Sequence, residues 1–199
     1  FTHNIGKEIA FKGHSIVSGG ARGVDQSAMF GALDNEGTAI GVMADSLLKA
    51  SSSARYRKKI MSGDLILVTP FNPEAGFNVG NAMARNRYIY CLADTAIVIS
   101  STANKGGTWN GAIENLKAGW VPLWIKKTEN LKSGNSVLVS KGAQWLPGSP
   151  LSIAELMGKI EINTKATPNL LQLEQKETKT KTRDTEQDPK VQKTFSSVQ

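Results

Sequence analysis

Short apolar runs alternate with longer amphipathic segments along the first two thirds of the chain. The runs are nearly continuous in apolar and often β-branched residues, which is typical of strands buried on both faces of a sheet. They predict strands at residues 15–18, 38–43, 65–68, 95–100 and 121–125. The segments around them have helical spacing and predict helices at residues 1–12, 23–35, 46–62, 76–92 and 109–118.

This alternation predicts the fold class. Strands that alternate with helices at this spacing imply right-handed crossovers, and therefore a parallel sheet with helices on both faces. We expect an α/β, Rossmann-like domain. Because the chain opens directly on helical spacing, with Ile5 and Ile9 on one side, we also expect a first strand that this chain lacks.

The pattern weakens towards the C-terminus. Residues 136–139 are interpreted as a short strand and residues 151–160 as a helix. Beyond them the chain is rich in Thr, Lys, Gln, Glu and Asp, a composition that cannot offset the entropy of ordering. We therefore predict a domain at residues 1–163 and a disordered polar tail at residues 164–199.

Charge and cysteine content narrow the class of partner. The 199 residues carry a formal net charge of +7, which favours acidic partners such as nucleic acid, although excess Lys and Arg also serves solubility. The single cysteine, Cys91, lies in an apolar run; we expect it to be buried and the compartment to be reducing, that is, cytoplasmic. No apolar stretch has the length of a membrane span, so we expect no membrane partner.

The strongest local signal is the run GGARGVD, which follows the first predicted strand and leads into a helix. Gly19, Gly20 and Gly23 would let the backbone approach a phosphate, and Arg22 adds a charged fork suited to phosphate. The spacing matches neither the dinucleotide motif nor the P-loop, which disfavours NAD and ATP sites. The glycines would equally suit a tight strand-to-helix turn.

Two further segments are candidates for the same phosphate-binding edge of the sheet. One contains Arg85, Asn86 and Arg87; the other follows the fourth predicted strand. Because the carboxyl ends of parallel strands meet at one edge of a sheet, we expect these segments to converge with the first loop into a phosphate site. The last segment spans residues 100–108, and its candidate phosphate-binding residues are Lys105, Gly106, Gly107 and Thr108.

Other residues add a stacking hypothesis but no catalytic one. Phe77 and Trp109 are candidates for stacking on bases, and the basic residues 55–59 are interpreted as an exposed helical face that could add a DNA contact. No Cys/His cluster has metal-ligand spacing and no Ser/His/Asp set is evident. We predict no catalytic residue, no metal and no cofactor.

The same motifs resemble a known family. GGARGVD, followed by Ala28, Gly31, Ala32 and Leu33, is similar to the GLARGID segment of the DNA-processing protein A (DprA/Smf) family. RNRYI at residues 85–89 is similar to that family's RNRIIAGLS element, and the resemblance covers residues 1–127. It implies single-stranded DNA binding in natural transformation and loading of a RecA-type recombinase. Phosphate contacts would be Arg22, Arg85, Arg87 and Lys105.

Alternatives from other classes are left open. Gly106, Gly107, Thr108 and Glu114 also resemble, more faintly, the signature of nucleoside-monophosphate phosphoribohydrolases, in which a glutamate is catalytic. A nucleotide sensor without catalysis is a third reading. The sequence leaves a homodimer open as well.

Overall fold

Helices and strands alternate throughout the computed structural model, which describes residues 1–130 and 133–158. The strands form two parallel sheets of three strands each. All four strand pairings are parallel, so every connection between neighbouring strands is a crossover. The chain thus builds one sheet in its first half and the other in its second half.

The first sheet has the strand order β1-β2-β3. Helices cover it in the order α1, then α2 between β1 and β2, then α3 and α4 between β2 and β3. The bounds are α1 Thr2–Phe11, β1 Ile16–Ser18, α2 Val24–Leu33, β2 Ala39–Val42, α3 Leu47–Ser52, α4 Ala54–Met61 and β3 Leu65–Val68. The buried core of this half consists of Met29, Leu33, Ala39, Tyr56 and Leu65.

The second sheet has the strand order β4-β5-β6. A long helix, α5, leads from the first sheet to β4. The bounds are α5 Val79–Cys91, β4 Ala96–Val98, α6 Gly106–Ala118, β5 Leu123–Ile125, α7 Gly134–Ser140, β6 Gln144–Trp145 and α8 Ile153–Met157. The buried core of this half consists of Tyr90, Val98, Trp109, Ala112, Leu123, Ile125, Leu138 and Ala143.

A third apolar cluster joins the two halves. Its buried residues include Ile5 and Ile9 of α1 and Trp124 of β5, and Ile16 of β1 and Ile97 of β4 pack against it. Two successive βαβ units joined by a crossover helix are the Rossmann arrangement, in which ligands bind outside the carboxyl ends of the strands where the two halves meet. The predicted fold class is confirmed.

The five predicted strands are present, but two helix predictions need adjustment. The helix predicted at 46–62 is divided at Ser53, whose extended backbone (φ −69°, ψ 143°) ends α3 and begins α4. The helix predicted at 109–118 begins earlier, at Gly106.

The strand predicted at 136–139 is wrong, because these residues belong to α7. The Ser133 side chain accepts a hydrogen bond from the backbone N–H of Ser136, which caps the helix. The buried Leu138 then packs into the core of the second half. A helix cap and tertiary packing thus override the strand preference of a β-branched run.

Two other predictions concern the end of the chain. Of the helix predicted at 151–160, the structure shows Ile153–Met157, and residues 159–160 lie outside the described residues. The tail predicted at 164–199 lies outside them as well. The domain boundary at residue 163 therefore stays a prediction.

The expectation for Cys91 is wrong, since its side chain is exposed. It is the last residue of α5, and the neighbouring Tyr90 is the one that packs into the core. An apolar run placed on a helix exposes part of its circumference, because consecutive residues point about 100° apart.

Candidate nucleic-acid interface

The first loop, residues 19–23, connects β1 to α2 and has backbone positions that suit glycine. A Cβ at position 19 would lie 1.8 Å from Nη1 of Arg85, so a side chain there would displace the guanidinium. Gly20 and Gly23 have φ angles of 67° and 96°, which residues with a side chain rarely adopt. Close approach and backbone conformation together explain this glycine pattern.

Arg85 lies behind the first loop. Its side chain is only 6% exposed, and Nη1 donates a hydrogen bond to the carbonyl oxygen of Val42 at the end of β2, at 2.6 Å. Its Nε is buried and has no hydrogen-bond partner among the described residues. Burial lowers the pKa of Arg85, while the carboxylates of Asp25 and Asp45 act in the opposite direction. The carboxyl ends of β1 and β2 therefore hold a guanidinium cation between them.

Two side chains of α2 fix the backbone of the first loop. Gln26 donates from Nε2 to the carbonyl oxygen of Gly20 at 3.1 Å, and Asp25 accepts from the N–H of Ala21 at 3.4 Å. Arg22, in contrast, is exposed and makes no hydrogen bond or ion pair within residues 1–130 and 133–158. The loop is thus held in place while its cation is free to meet a ligand.

The second loop, residues 99–107, follows β4 and includes the first two residues of α6. A tight turn is closed by the backbone bond from Lys105 N–H to Thr102 O at 3.2 Å, with Asn104 at φ 59°. The exposed Lys105 then precedes α6, and Thr108 is exposed in its first turn. Lys105 is therefore presented on the surface at the start of a helix.

Asn135 supports the second loop from behind. It is 4% exposed, and its Nδ2 donates to the carbonyl oxygens of Ile99 and Lys126, each at 3.0 Å. Ser101 Oγ bonds to its Oδ1 at 2.9 Å. The polar atoms of a neutral amide therefore fix the start of this loop.

Helix α5 contacts both loops through adjacent residues. Arg85 packs against Gly19 of the first loop, and Asn86 donates from Nδ2 to the carbonyl oxygen of Gly107 in the second at 3.1 Å. We call the surface formed by residues 19–23 and 101–108, with Arg85 and Asn86 behind it, the crevice. Through these contacts α5 connects the three predicted segments, and their convergence into one phosphate site stays a prediction.

Arg87 does not join the crevice. Its Nη2 forms an ion pair with Oε1 of Glu114 on α6 at 3.4 Å, and both side chains are about half exposed. Residues 85 and 87 point about 200° apart around a helix, so Arg87 leaves α5 on nearly the opposite side from Arg85. The predicted role of Arg87 as a phosphate contact has no support in this geometry.

The two aromatic candidates differ. Trp109 is 5% exposed and belongs to the core of the second half, so the prediction that it stacks on bases is wrong. Phe77 is 73% exposed and lies two residues before α5. Its predicted stacking role stays a prediction.

Residues 1–130 and 133–158 contain neither a metal-binding cluster nor a membrane-spanning helix. This part of the chain contains no group of three or more His, Cys, Asp or Glu side chains arranged to hold a metal ion. None of its helices is both long and apolar enough to cross a membrane.

The sequence model of the family described as DNA recombination-mediator protein A matches residues 1–158. The chain belongs to this family. A DNA processing protein DprA of Mycobacterium tuberculosis (strain H37Rv) is 29% identical to it over 153 residues, which are 73% of this chain and 38% of that protein. The chain thus spans well under half the length of the curated relatives it matches.

Solved structures of the family share this fold. A structure of DNA processing protein A from Helicobacter pylori, described with its single-stranded DNA binding mode, has a TM-score of 0.59 and 28% identity. The alignment covers 74% of this chain and 67% of that one. DNA processing protein A from Streptococcus pneumoniae has a TM-score of 0.58 at 21% identity, covering 72% and 51%, and this likeness concerns the fold alone.

Sequence reasoning missed the side chains that support the loops. Gln26 and Asn135 carry no motif, because amide side chains are common on helices and their partners are distant backbone carbonyls. The one available signal was the position of Asn135, two residues after the helix cap at Ser133. Which carbonyls it meets depends on how α7 packs against β4 and β5.

Proposed function

We propose that this domain binds single-stranded DNA through its backbone phosphates at the crevice. The observation that carries the proposal is the convergence on α5, where Arg85 backs the first loop and Asn86 holds the second. Family membership supports the same ligand, since the Helicobacter pylori relative is described as binding single-stranded DNA. In this proposal the contacts of the crevice are to phosphate, which positions a strand without reading its bases.

The chemistry of the crevice suits an anionic chain. Arg22 and Lys105 are exposed cations, one on each loop, and Arg85 adds positive charge from behind. Neither α2 nor α6 has a side-chain cap at its N-terminus. In α2 the N–H of Gln26 is bonded to the carbonyl oxygen of Ala21, and the N–H groups before it are available to a ligand. Two loops with a cation each can bind successive phosphates of one strand. Phe77, two residues before α5, is exposed and can stack on a base.

Family membership extends the proposal to a biological role. We propose that the protein acts in DNA uptake and natural transformation in the cytoplasm, delivering its strand to a RecA-type recombinase. The family description as a recombination mediator supports this role. Strand exchange by such a recombinase, measured on DNA coated with single-strand-binding protein, should accelerate when this protein is added. Light scattering of the full chain tests whether it works as a homodimer.

The proposal is a binding function without catalysis. The glutamate that an enzyme of the phosphoribohydrolase type would need is Glu114, and its carboxylate pairs with Arg87 on the surface between α5 and α6. Release of free base from AMP or CMP, abolished by Glu114→Gln, would favour the enzyme instead. A nucleotide sensor would bind a free nucleotide more tightly than oligo-dT.

Fluorescence anisotropy of labelled oligo-dT with the full chain tests the binding function. We expect affinity to fall as the salt concentration rises from about 50 to about 200 mM, because each phosphate contact with a single strand adds about 0.7 to the salt slope. Replacing Arg22 and Lys105 together with Ala should lower affinity at least about tenfold and reduce the salt slope by about 1.4, or 0.7 for each lost contact. Arg87→Ala, which removes an exposed cation outside the crevice, is the matched control. Absence of binding at low salt would contradict the proposal, as would equal effects of the two replacements.

A further inference from the structure

A groove of about 450 Å³ runs along α2, and of its lining residues only Gly23 also belongs to the crevice. Its wall on α2 is formed by residues spaced three or four apart, which lie on one face of a helix. His3 of α1 and Arg55 of α4 close the two sides. The residues that line it are His3, Gly23, Gln26, Ser27, Phe30, Asp34 and Arg55.

One wall of the groove is a stack of three side chains. The guanidinium carbon of Arg55 lies 4.1 Å from the centre of the Phe30 ring. That ring stacks in turn on the buried Tyr56, with ring centres 5.7 Å apart and planes 5° from parallel. The guanidinium thus lies over an aromatic ring, and because Arg55 is exposed, a ligand can reach it from solvent.

Two successive hydrogen bonds connect Arg55 to the first loop of the crevice and hold it in this position. Its Nη1 donates to Oε1 of Gln26 at 3.0 Å, and Nε2 of Gln26 donates to the carbonyl oxygen of Gly20 at 3.1 Å. No ion pair neutralises Arg55 within the described part of the chain. A planar cation that is already oriented loses little rotamer entropy when a flat ligand stacks on it.

We propose that this groove receives a nucleobase of the bound strand, stacked on the Arg55 guanidinium. The inference rests on the proposed function. The groove begins at Gly23, the last residue of the first loop, and Phe30 lies about 10 Å further along α2 at 1.5 Å per residue. Phosphates at the first loop would therefore bring a neighbouring base to the groove. Guanidinium planes are common stacking partners of unpaired bases, and this contact is sequence-tolerant.

The other polar groups of the groove suit the edge of a base. The hydroxyl of Ser27 can donate and accept, and the imidazole of His3 and the carboxylate of Asp34 lie at the far end, 3.7 Å apart. An anionic phosphate at that end would face the carboxylate of Asp34. We therefore place the base, not a phosphate, in the groove.

The test compares two oligonucleotides of equal length, oligo-dT and a strand whose sugars carry no bases, with the full chain. The unmodified protein should bind oligo-dT more tightly. Arg55→Lys keeps the charge and loses the planar face, so it should lower affinity for oligo-dT about five- to tenfold and leave affinity for the base-free strand within about twofold. Arg57→Lys, an exposed residue of the same helix outside the groove, is the matched control. The fluorescence of a 2-aminopurine base in the strand should change on binding, because the base leaves its neighbours in the strand, and it should change less with Arg55→Lys.

The possible results distinguish the proposed base-binding groove from the proposed DNA-binding function on which it rests. Equal binding of both oligonucleotides by the unmodified protein overturns the groove and leaves phosphate binding intact. A loss on Arg55→Lys that is the same for both strands shows a phosphate contact and also overturns it. Unchanged affinities with Arg55→Lys, while the protein still prefers oligo-dT, place the base contact elsewhere. Binding of neither strand at low salt refutes the proposed function and the groove together.

Discussion

The two loops of the crevice follow equivalent strands but are supported by different chemistry. Behind the first loop lies a buried cation, Arg85, with one guanidinium nitrogen bonded to Val42 and another without a partner among the described residues. Behind the second lies a neutral amide, Asn135, with its bonds made to Ser101, Ile99 and Lys126. Arg85 both supports the first loop and adds positive electrostatic potential, whereas Asn135 only supports the second loop.

The same contrast separates the two buried ionisable groups of α5. Arg85 keeps a charge in the first half, although burial lowers its pKa. Tyr90 lies in the core of the second half, where burial and the Glu114 carboxylate raise its pKa to about 12 and keep it neutral. One helix therefore carries a charge towards the crevice on one side and an apolar contact on the other. We infer that the buried charge of Arg85 adds to the affinity for an anion that the exposed Arg22 and Lys105 supply, whereas Asn135 positions the backbone of the second loop.

The largest expected effect comes from Arg85. Arg85→Ala leaves a cavity and an unpaired Val42 carbonyl oxygen, so the free energy of unfolding should fall by about 3 kcal/mol. Arg85→Met restores most of the packing but not the charge, so it should recover much of that stability and still bind oligo-dT more weakly. Chemical denaturation and anisotropy measure the two effects. Arg85→Met with undiminished DNA affinity would show that the buried charge has no role in binding.

A smaller effect is expected at high pH from Tyr90. Its pKa is raised from 10.0 to about 12 in the folded state, so the folded protein holds this proton where the unfolded chain has released it. The contribution is fully present below pH 10, and the free energy of unfolding should fall by about 2 kcal/mol as the pH rises from 10 to 12. Chemical denaturation of the unmodified protein and of Tyr90→Phe at several pH values isolates the contribution of Tyr90 to the free energy of unfolding. Parallel pH curves for the two proteins would argue against a raised pKa.

The smallest effect is expected from Asn86, whose uncharged amide connects α5 to the second loop. Asn86→Ala removes the hydrogen bond to the Gly107 carbonyl oxygen and should lower the free energy of unfolding by about 1 kcal/mol. The neighbouring Arg87→Ala breaks only a half-exposed ion pair and should cost no more than about 0.5 kcal/mol. Thermal melts of the two variants provide the comparison. If Arg87→Ala were the more damaging, the assignment of Asn86 as the link between the loops would be wrong.

Local sequence patterns determined the fold class and the glycine-rich loop. Continuous apolar runs separated by helical spacing require parallel strands with crossovers, and a strand end followed by GGARG requires a loop that only glycine can form. These features depend on residues close together in the chain. The short strand β6 and the helix α7 escaped prediction because their signals are weaker than the packing that fixes them.

Tertiary structure alone decided what each charged residue does. Arg85 and Arg87 are two residues apart and look equivalent in the sequence, yet one is buried behind Gly19 and the other is paired with Glu114 on the surface. Trp109 likewise belongs to a core and Phe77 to the surface. The sequence determined which residues could contact a phosphate or a base. The direction in which each side chain points was decided by the helix turn and by the element packed against it, because burial and partners are properties of contacts between distant segments.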